Sequence, residues 1–237
     1  MSLNSNHGRA RLGLVSLFVT GFAACGPLRA SCTGGSESSV PKLTLAASLA
    51  ATPPSIDGEF QEEGWRSAAT TGAFSDPRDP TAVVAHTEAR VLGDLQGLYL
   101  GLFAADEDIV SSDYVGATLQ LLPPSNAMLR LEIGPAGSLR CHAEGQASCK
   151  TLPAIRVAVD RDGTLDNSSD YDEEWTVEVF VPWTALGQNA PPPAVAARLF
   201  RRDQPKERPL RMLVWGACPR GSDLPCGRIT LTGVATP

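Results

Sequence analysis

Two acidic loops contain the residues that could bind a metal ion. The first holds Asp106 and Asp108, with Asp113 shortly after, and the second begins at Asp160 and Asp162. Calcium takes roughly six to eight oxygen ligands from flexible carboxylates and carbonyls, but the second loop lacks the carboxylate spacing of an EF-hand. The sequence therefore allows two interpretations. Either calcium is bound by Asp106, Asp108, Asp160 and Asp162, or the loops are solvated acidic turns.

Residues suited to catalysis are few. The histidines are His7, His86 and His142. The sequence contains neither Gly-x-Ser-x-Gly, which places a nucleophilic serine on a sharp turn, nor His-Glu-x-x-His, which binds zinc from one helix. We therefore expect no enzyme activity and no cofactor other than calcium.

Four cysteines form two pairs of equal spacing. Cys141 and Cys149 are eight residues apart, as are Cys218 and Cys226. Neither pair has the close spacing of a zinc knuckle. In an oxidising compartment we expect the disulfides Cys141–Cys149 and Cys218–Cys226, with other pairings left open because spacing does not fix connectivity. Cys32 is then unpaired.

The N-terminus has the features of a secretory signal. Two arginines precede an apolar run at 12–22 that is too short to span a bilayer, and small residues surround Cys25. This pattern predicts a signal peptide at 1–24 that is removed before Cys25, whose attached lipid then anchors the chain. Cleavage beside Ala24 without lipidation is the alternative.

A flexible tether is predicted at 25–41. The segment is rich in Gly, Ser, Thr and Pro and has no periodicity. Signal and tether together predict a cell-envelope protein whose lipid is its one contact with the membrane. Gly26 after the lipidated cysteine, rather than Asp, favours the outer membrane by analogy with enteric sorting.

The overall charge is acidic. Lys and Arg number 20 and Asp and Glu number 26; removal of the signal takes away two arginines, so the balance moves from 20 minus 26 to 18 minus 26. An acidic surface repels polyanions. The composition therefore argues against nucleic acid as a ligand and favours a neutral or cationic partner.

The remaining chain reads as short strands separated by turn residues. We expect two short helical segments, at 59–68 and 184–187. The abundant Pro and Gly, 19 and 22 residues, punctuate the strands. This pattern predicts an all-β fold, a two-sheet antiparallel sandwich of the jelly-roll type with one short N-terminal helix. The predicted strands are 43–49, 82–92, 98–104, 115–122, 128–133, 138–142, 155–160, 175–181, 196–202, 211–215 and 228–231.

Alternation within the strand at 175–181 supports the sandwich. Its odd positions are all apolar and are predicted to face a packed layer. Thr176 and Glu178 face the other side, where Phe180 covers part of the sheet.

Several segments, in order, resemble one known family. They are Ser-Ile-Asp-Gly-Glu-Phe-Gln-Glu-Glu-Gly-Trp at 55–65, Leu-Tyr-Leu at 98–100, the strand and its exit at 175–183, and the stretch at 198–215. Together they resemble family 9-like carbohydrate-binding modules. The resemblance covers about 53–233 and implies one sugar-binding sandwich domain at 42–237.

Well-studied members of this family hold a terminal sugar between two loop tryptophans. The matching segments here are 108–112 and 220–224, and neither contains an aromatic residue. The resemblance therefore leaves Tyr114 and Asp113 beside the first segment, and Arg220 in the second, as candidate ligand-binding residues.

The tryptophans have two interpretations. Aromatic rings can stack on sugars, but all four lie where the family keeps large residues for packing. We expect them in the core rather than in a ligand platform. They are Trp65, Trp175, Trp183 and Trp215.

Glu178 also has two interpretations. With Glu173 and Glu174 it could supply the paired carboxylates of a glycosidase. The resemblance instead implies a structural role, because non-catalytic modules of the family keep a glutamate there. We expect Glu178 to pair with Arg198 or Arg201.

The combined interpretation is a non-catalytic envelope lipoprotein that binds a carbohydrate or another extracellular polymer. The alternative is a structural or assembly subunit that docks an envelope protein and has lost the sugar site.

Overall fold

A computed structural model describes residues 43–143, 154–218 and 222–233 of the protein. These residues lie in the unit Ser39–Pro237 and form two stacked sheets with one short α-helix. The all-β sandwich predicted from the sequence is therefore confirmed. No helix within the described ranges has the length and apolar content needed to cross a membrane.

The larger sheet has seven strands. Its order is β1-β12-β10-β5-β6-β7, with β11 also paired to β10. All pairings are antiparallel except β1 with β12, which is parallel. The strands are β1 (Thr44–Ser48), β5 (Tyr114–Leu121), β6 (Met128–Ile133), β7 (Leu139–Ala143), β10 (Ala194–Asp203), β11 (Arg211–Trp215) and β12 (Gly227–Thr232).

The smaller sheet has five antiparallel strands in the order β2-β3-β4-β9-β8. It consists of β2 (Ala69–Thr70), β3 (Thr87–Gly93), β4 (Gly97–Ala105), β8 (Arg156–Asp162) and β9 (Glu174–Pro182). Each of the eleven predicted strands is present, and β2 is the addition. Helix α1 covers Glu63–Ser67, and a 3₁₀ turn covers Trp183–Leu186.

Side-chain hydrogen bonds explain why α1 is shorter than predicted. The amide N–H groups of Asp57 and Gly58 donate to Glu178, and the N–H of Glu59 donates to the Asp57 side chain. These bonds hold the chain in a turn, so the helix begins only at Glu63.

The core between the sheets contains the apolar residues predicted from alternation. Trp175, Val177, Val179 and Val181 are all 1% exposed or less. Trp183 is also 1% exposed and Trp215 is 5% exposed, so the expectation that the tryptophans fill the core is confirmed for Trp175, Trp183 and Trp215. Trp65 is equally buried, at 1%, but in a separate apolar cluster.

The outer face of the smaller sheet is covered by the N-terminal segment. Trp65 packs with Tyr99 and Phe180 in a second apolar cluster, and Phe60 lies partly buried against it. The fully buried Glu178 accepts the Asp57 and Gly58 N–H groups through Oε2 at 2.8 and 2.9 Å. Its role is thus to fasten this segment to β9.

The predicted pairing of Glu178 with Arg198 or Arg201 is wrong. Both arginines lie on β10 in the other sheet and bind aspartates. Glu178 instead satisfies two backbone donors of a turn that is about 120 residues away in sequence, a contact that charge complementarity alone could not predict.

One predicted disulfide is confirmed. Cys218 and Cys226 are bonded, with their Cα atoms 5.0 Å apart. Cys141 is also disulfide-bonded. Its predicted partner Cys149 lies outside the described residues, as do Cys25 and Cys32.

Burial of Glu178 predicts a pH-dependent stability. Burial raises the pKa of this carboxyl group from 4.5 to about 7, so the folded state favours the protonated form. The contribution of Glu178 to stability should therefore be greatest below pH 4.5 and be lost as the pH rises through 7, by at most about 3 kcal/mol. Urea unfolding at several pH values should show that Glu178→Gln removes this part of the decrease, whereas the exposed Glu59→Gln retains it. Equal pH dependence in all three proteins would contradict this role.

A substitution at Gly58 tests whether the same turn requires close packing against β8. The φ of this glycine is +102°, and an added Cβ would lie 2.9 Å from backbone atoms of Val159 and Asp160. Gly72 also has positive φ, at +69°, but an added Cβ there meets no atom within 4 Å. We expect Gly58→Ala to lower the free energy of unfolding by about 3 kcal/mol or more, and Gly72→Ala by about 1 kcal/mol. Similar losses in both variants would show that the turn does not require this close approach.

Candidate functional site

The outward surface of the seven-stranded sheet is rich in arginine. Because Leu119, Leu131 and Leu199 point into the core, the residues beside them point outward. We call this surface the arginine face. It comprises Arg198, Phe200 and Arg202 on β10, Tyr114, Gly116 and Thr118 on β5, Arg130 and Glu132 on β6, Arg140 and His142 on β7, and Arg228 on β12.

Strand register aligns these side chains in rows. Arg198 lies opposite Thr118, which lies opposite Arg130. In the next row Phe200 lies opposite Gly116, and its ring covers that glycine so closely that an added Cβ would be 2.6 Å from the ring. The absence of a side chain at Gly116 thus lets the phenyl ring approach the backbone of β5 closely.

Aromatic rings position the guanidinium groups. The guanidinium carbons of Arg130 and Arg198 lie 4.5 and 5.1 Å from the centre of the Phe200 ring. Tyr114 packs edge-on against Phe200, with ring centres 6.2 Å apart, and Arg202 lies 5.9 Å from the Tyr114 ring centre. These cation–π contacts restrict the arginine side chains before any ligand binds.

Arg198 is the most constrained of these residues. It is only 6% exposed, and its Nη2 forms an ion pair with Asp223 at 3.2 Å. Within the described ranges, the Nε and Nη1 of Arg198 have no hydrogen-bond acceptor, and the hydroxyl group of the nearby Thr118 has no partner. Burial lowers the pKa of Arg198. Buried donors without acceptors are costly. These atoms are covered by neighbouring side chains, so a ligand oxygen that displaces the covering groups would satisfy them.

A groove of about 290 Å³ adjoins this stack. Tyr114, Glu132, Arg140 and Arg202 line it, together with three serines. Arg202 donates to the Ser112 carbonyl oxygen. Arg140 is exposed and makes no hydrogen bond or ion pair with the described residues. The groove therefore offers serine hydroxyl groups, the Tyr114 ring and the Arg140 guanidinium group. Among the described residues, Arg140 has no carboxylate partner.

The candidate ligand-binding residues predicted from the sequence have different outcomes. Tyr114 lies in the arginine face, beside the groove. Arg220 lies outside the described residues, but Asp223 from the same predicted loop contacts Arg198. Asp113 lines the groove yet is 1% exposed, and its Oδ1 accepts the Gln204 N–H. Its surroundings indicate a structural role.

Asp113 belongs to a buried acidic cluster on the inner side of β10. Carboxylate oxygens of Asp106, Asp113 and Asp203 lie within 4.8 Å of one another. Arg201 Nη2 binds Asp106 at 2.9 Å and Asp203 at 2.6 Å. Burial, followed by the charge of Asp106, raises the pKa of Asp113.

The predicted calcium ligands do not come together. Asp106 is held by Arg201 and by Trp175 Nε1, so a guanidinium group supplies the positive charge in its cluster. Asp108, Asp160 and Asp162 belong to neither of the three-carboxylate groups found among the described residues. The donor set thus does not fit a cage of roughly six to eight oxygens, and calcium binding stays a prediction from the sequence.

A second cleft lies at the end of the sandwich where β4 and β10 finish. It measures about 280 Å³ and is lined in part by Val83 and Tyr171, which are 93% and 76% exposed. Its two arginines already have carboxylate partners, Arg208 with Glu107 and Arg211 with Asp76. The arginine face, with its unsatisfied donors, is therefore the stronger candidate site.

The site residues predicted from the sequence did not include Arg130, Arg140, Arg198 or Arg202. A local signal was present, because the predicted strand at 196–202 places positive or aromatic residues at alternate positions. Arg130 on β6 and Arg140 on β7 are far from this segment in sequence, and only strand pairing places them beside it.

Comparison with known proteins identifies the architecture. Neither a family model nor a curated protein sequence matches the chain. A carbohydrate-binding module of family 9 from Caldicellulosiruptor kristjanssonii, in complex with cellotriose, aligns with a TM-score of 0.60 and 12% identity, over 81% of this chain and 95% of the module. The chain has a family 9-like fold.

Two further structures support this assignment. A family 9 module from the same organism, in complex with glucose, aligns with a TM-score of 0.55 and 15% identity, over 81% of this chain and 97% of that one. A candidate carbohydrate-binding protein from Bacteroides uniformis aligns with a TM-score of 0.56 and 12% identity, over 80% of this chain and 99% of that one. At such identities the likeness establishes the family 9-like fold alone.

The buried acidic cluster predicts that the stability of the protein depends strongly on Arg201. In Arg201→Gln, buried Asp106 and Asp203 would lose their positive partner, which should lower the free energy of unfolding by about 3–5 kcal/mol at pH 8. At pH 5 the loss should be smaller, because burial raises the pKa of Asp113 and Asp203 and so favours their protonated forms. Urea unfolding at both pH values measures this difference.

The exposed ion pair of Arg66 with Glu63 provides the matched control. Arg66→Gln should cost less than about 1 kcal/mol at either pH. A penalty for Arg201→Gln that is equally small, or independent of pH, would contradict the proposed neutralisation of the cluster.

Proposed function

We propose that the protein binds a glycan through the arginine face and catalyses no reaction. The observation that carries this proposal is Arg198, a buried cation held between an aromatic ring and an ion pair. Two of its nitrogen donors have no acceptor in the part of the chain that the structure describes. Support also comes from the neighbours with the same fold, which were solved with cellotriose and glucose. Sugar hydroxyl and ring oxygens are suitable acceptors for such donors.

The proposed mode of binding uses hydrogen bonds to a preformed surface. Arg198 and Thr118 provide unsatisfied polar groups, and Tyr114 provides a partly exposed ring at the edge of the groove. The segment at 108–112 contains no aromatic residue, so a clamp between two loop tryptophans is not available there. Because Phe200 already fixes the arginines, little side-chain entropy is lost on binding.

The cellular setting is part of the proposal. A lipid on Cys25 and the tether at 25–41 would hold the sandwich at the cell envelope, at the outer membrane in the favoured interpretation. The domain would then retain a glycan, or another extracellular polymer, close to the membrane surface.

A second candidate is an assembly subunit that docks an envelope protein. The observation in its favour is that all four tryptophans are buried, so none is exposed to stack on a sugar. Cross-linking to a specific envelope protein, without binding to any saccharide, would support this candidate.

Tyrosine variants test the proposed site. We expect Tyr114→Ala to weaken glycan binding about tenfold without changing the melting temperature, because the ring is partly exposed and borders the groove. Tyr171→Ala is the matched control, since Tyr171 is exposed at the second cleft. Isothermal titration calorimetry with saccharides selected on a glycan array measures both.

Loss of binding in Tyr171→Ala, with Tyr114→Ala unaffected, would move the site to the second cleft. A protein that binds no saccharide on the array would contradict glycan binding altogether.

A further inference from the structure

The charge of the arginine face is opposite to that of the whole protein. The complete chain has a formal net charge of -6. Along β5, β6, β7, β10 and β12, the outward-facing side chains include five arginines and, among the described residues, one carboxylate, Glu132. Positive charge is thus concentrated on one surface of an acidic protein.

Carboxylates of the protein neutralise only part of this charge. Glu132 binds Arg130 at 3.0 Å, and Asp223 approaches Arg198 from a neighbouring loop. Arg140, Arg202 and Arg228 have no carboxylate partner among the described residues. Arg140 and Arg202 line the same groove, which Glu132 and Asp113 also line. Glu132 is paired with Arg130 and Asp113 is 1% exposed, so an anion in the groove could reach both arginines.

The geometry favours an oxyanion over a neutral hydroxyl group. Guanidinium groups bind carboxylate and sulfate oxygens through two parallel N–H donors, and such charged hydrogen bonds are stronger than neutral ones. Stacking on Phe200 and Tyr114 occupies the faces of the guanidinium groups rather than their N–H edges. Arg130 and Arg198 use part of these edges for Glu132 and Asp223, whereas Arg202 donates only to the Ser112 carbonyl oxygen among the described residues. The net charge of the whole sequence, which favoured a neutral or cationic partner, does not represent the charge of the arginine face.

We infer that the ligand is an acidic glycan whose carboxylate or sulfate groups bind Arg140 and Arg202 while its sugar rings lie along the arginine face. This inference rests on the proposed function and specifies its ligand class. The acidic remainder of the protein would repel polyanions that approach elsewhere, so only this face would accept them.

Two pairs of polymers with matched backbones test the inference. Polygalacturonate is compared with its fully methyl-esterified form, and dextran sulfate with dextran, by calorimetry using the full-length protein. We expect the charged member of at least one pair to bind at least about tenfold more tightly, with affinity that decreases as salt is raised. If the charged member binds more tightly only in the polygalacturonate pair, the recognised group is a carboxylate. If it does so only in the dextran pair, the recognised group is a sulfate.

Arginine variants test which residues bind the charged polymer. The double variant Arg140→Gln/Arg202→Gln should lose at least about tenfold in affinity for the charged polymer. Each single variant should lose less, and circular dichroism and melting temperature verify folding. Arg66→Gln, which removes one exposed arginine from α1, should bind as the wild type does.

The outcomes separate this inference from the proposed function. Equal, salt-independent binding of charged and neutral members would overturn the acidic-glycan inference and leave glycan binding intact. Absence of binding to all four polymers and to a wider glycan array would overturn both. Equally tight binding of a single-stranded oligonucleotide of similar charge would also overturn the inference, because it would indicate general attraction to polyanions.

Discussion

The alternation of side chains along β10 is the constraint on which the rest of the structure depends. Arg198, Phe200 and Arg202 point outward, while Leu199 and Arg201 point into the sandwich. The inward arginine neutralises a buried acidic cluster, and the outward ones form the arginine face. A shift of one residue in register would exchange these surfaces and place Phe200 where Arg201 now binds two carboxylates.

The two sheets differ in how their outer faces are used. The N-terminal segment covers the smaller sheet, and the buried carboxyl group of Glu178 fastens it through the N–H groups of Asp57 and Gly58. On the larger sheet, Arg140 and Arg228 remain exposed. The fold thus closes one surface with its own chain and leaves arginines exposed on the other, where we propose that the ligand binds.

Local patterns in the sequence were sufficient to predict the fold. Alternation at 175–181 identified the buried face of β9, and the spacing of Cys218 and Cys226 identified a disulfide. Contacts between distant residues could not be predicted in this way. Asp203 joins Asp113, and Glu178 binds Gly58, only after strand pairing and turn geometry bring them together. Net charge could not indicate the arginine face for the same reason, because it averages over surfaces that the fold separates.

The most direct test of glycan binding at the arginine face is an NMR titration that follows the Nε–H resonances of the arginine side chains. Added oligogalacturonide or sulfated oligosaccharide should shift the signals of Arg198, Arg140 and Arg202, while that of Arg66 stays unchanged. Shifts confined to Arg208 and Arg211 at the second cleft, or no shift at any saccharide concentration, would contradict the assignment of the ligand to this face.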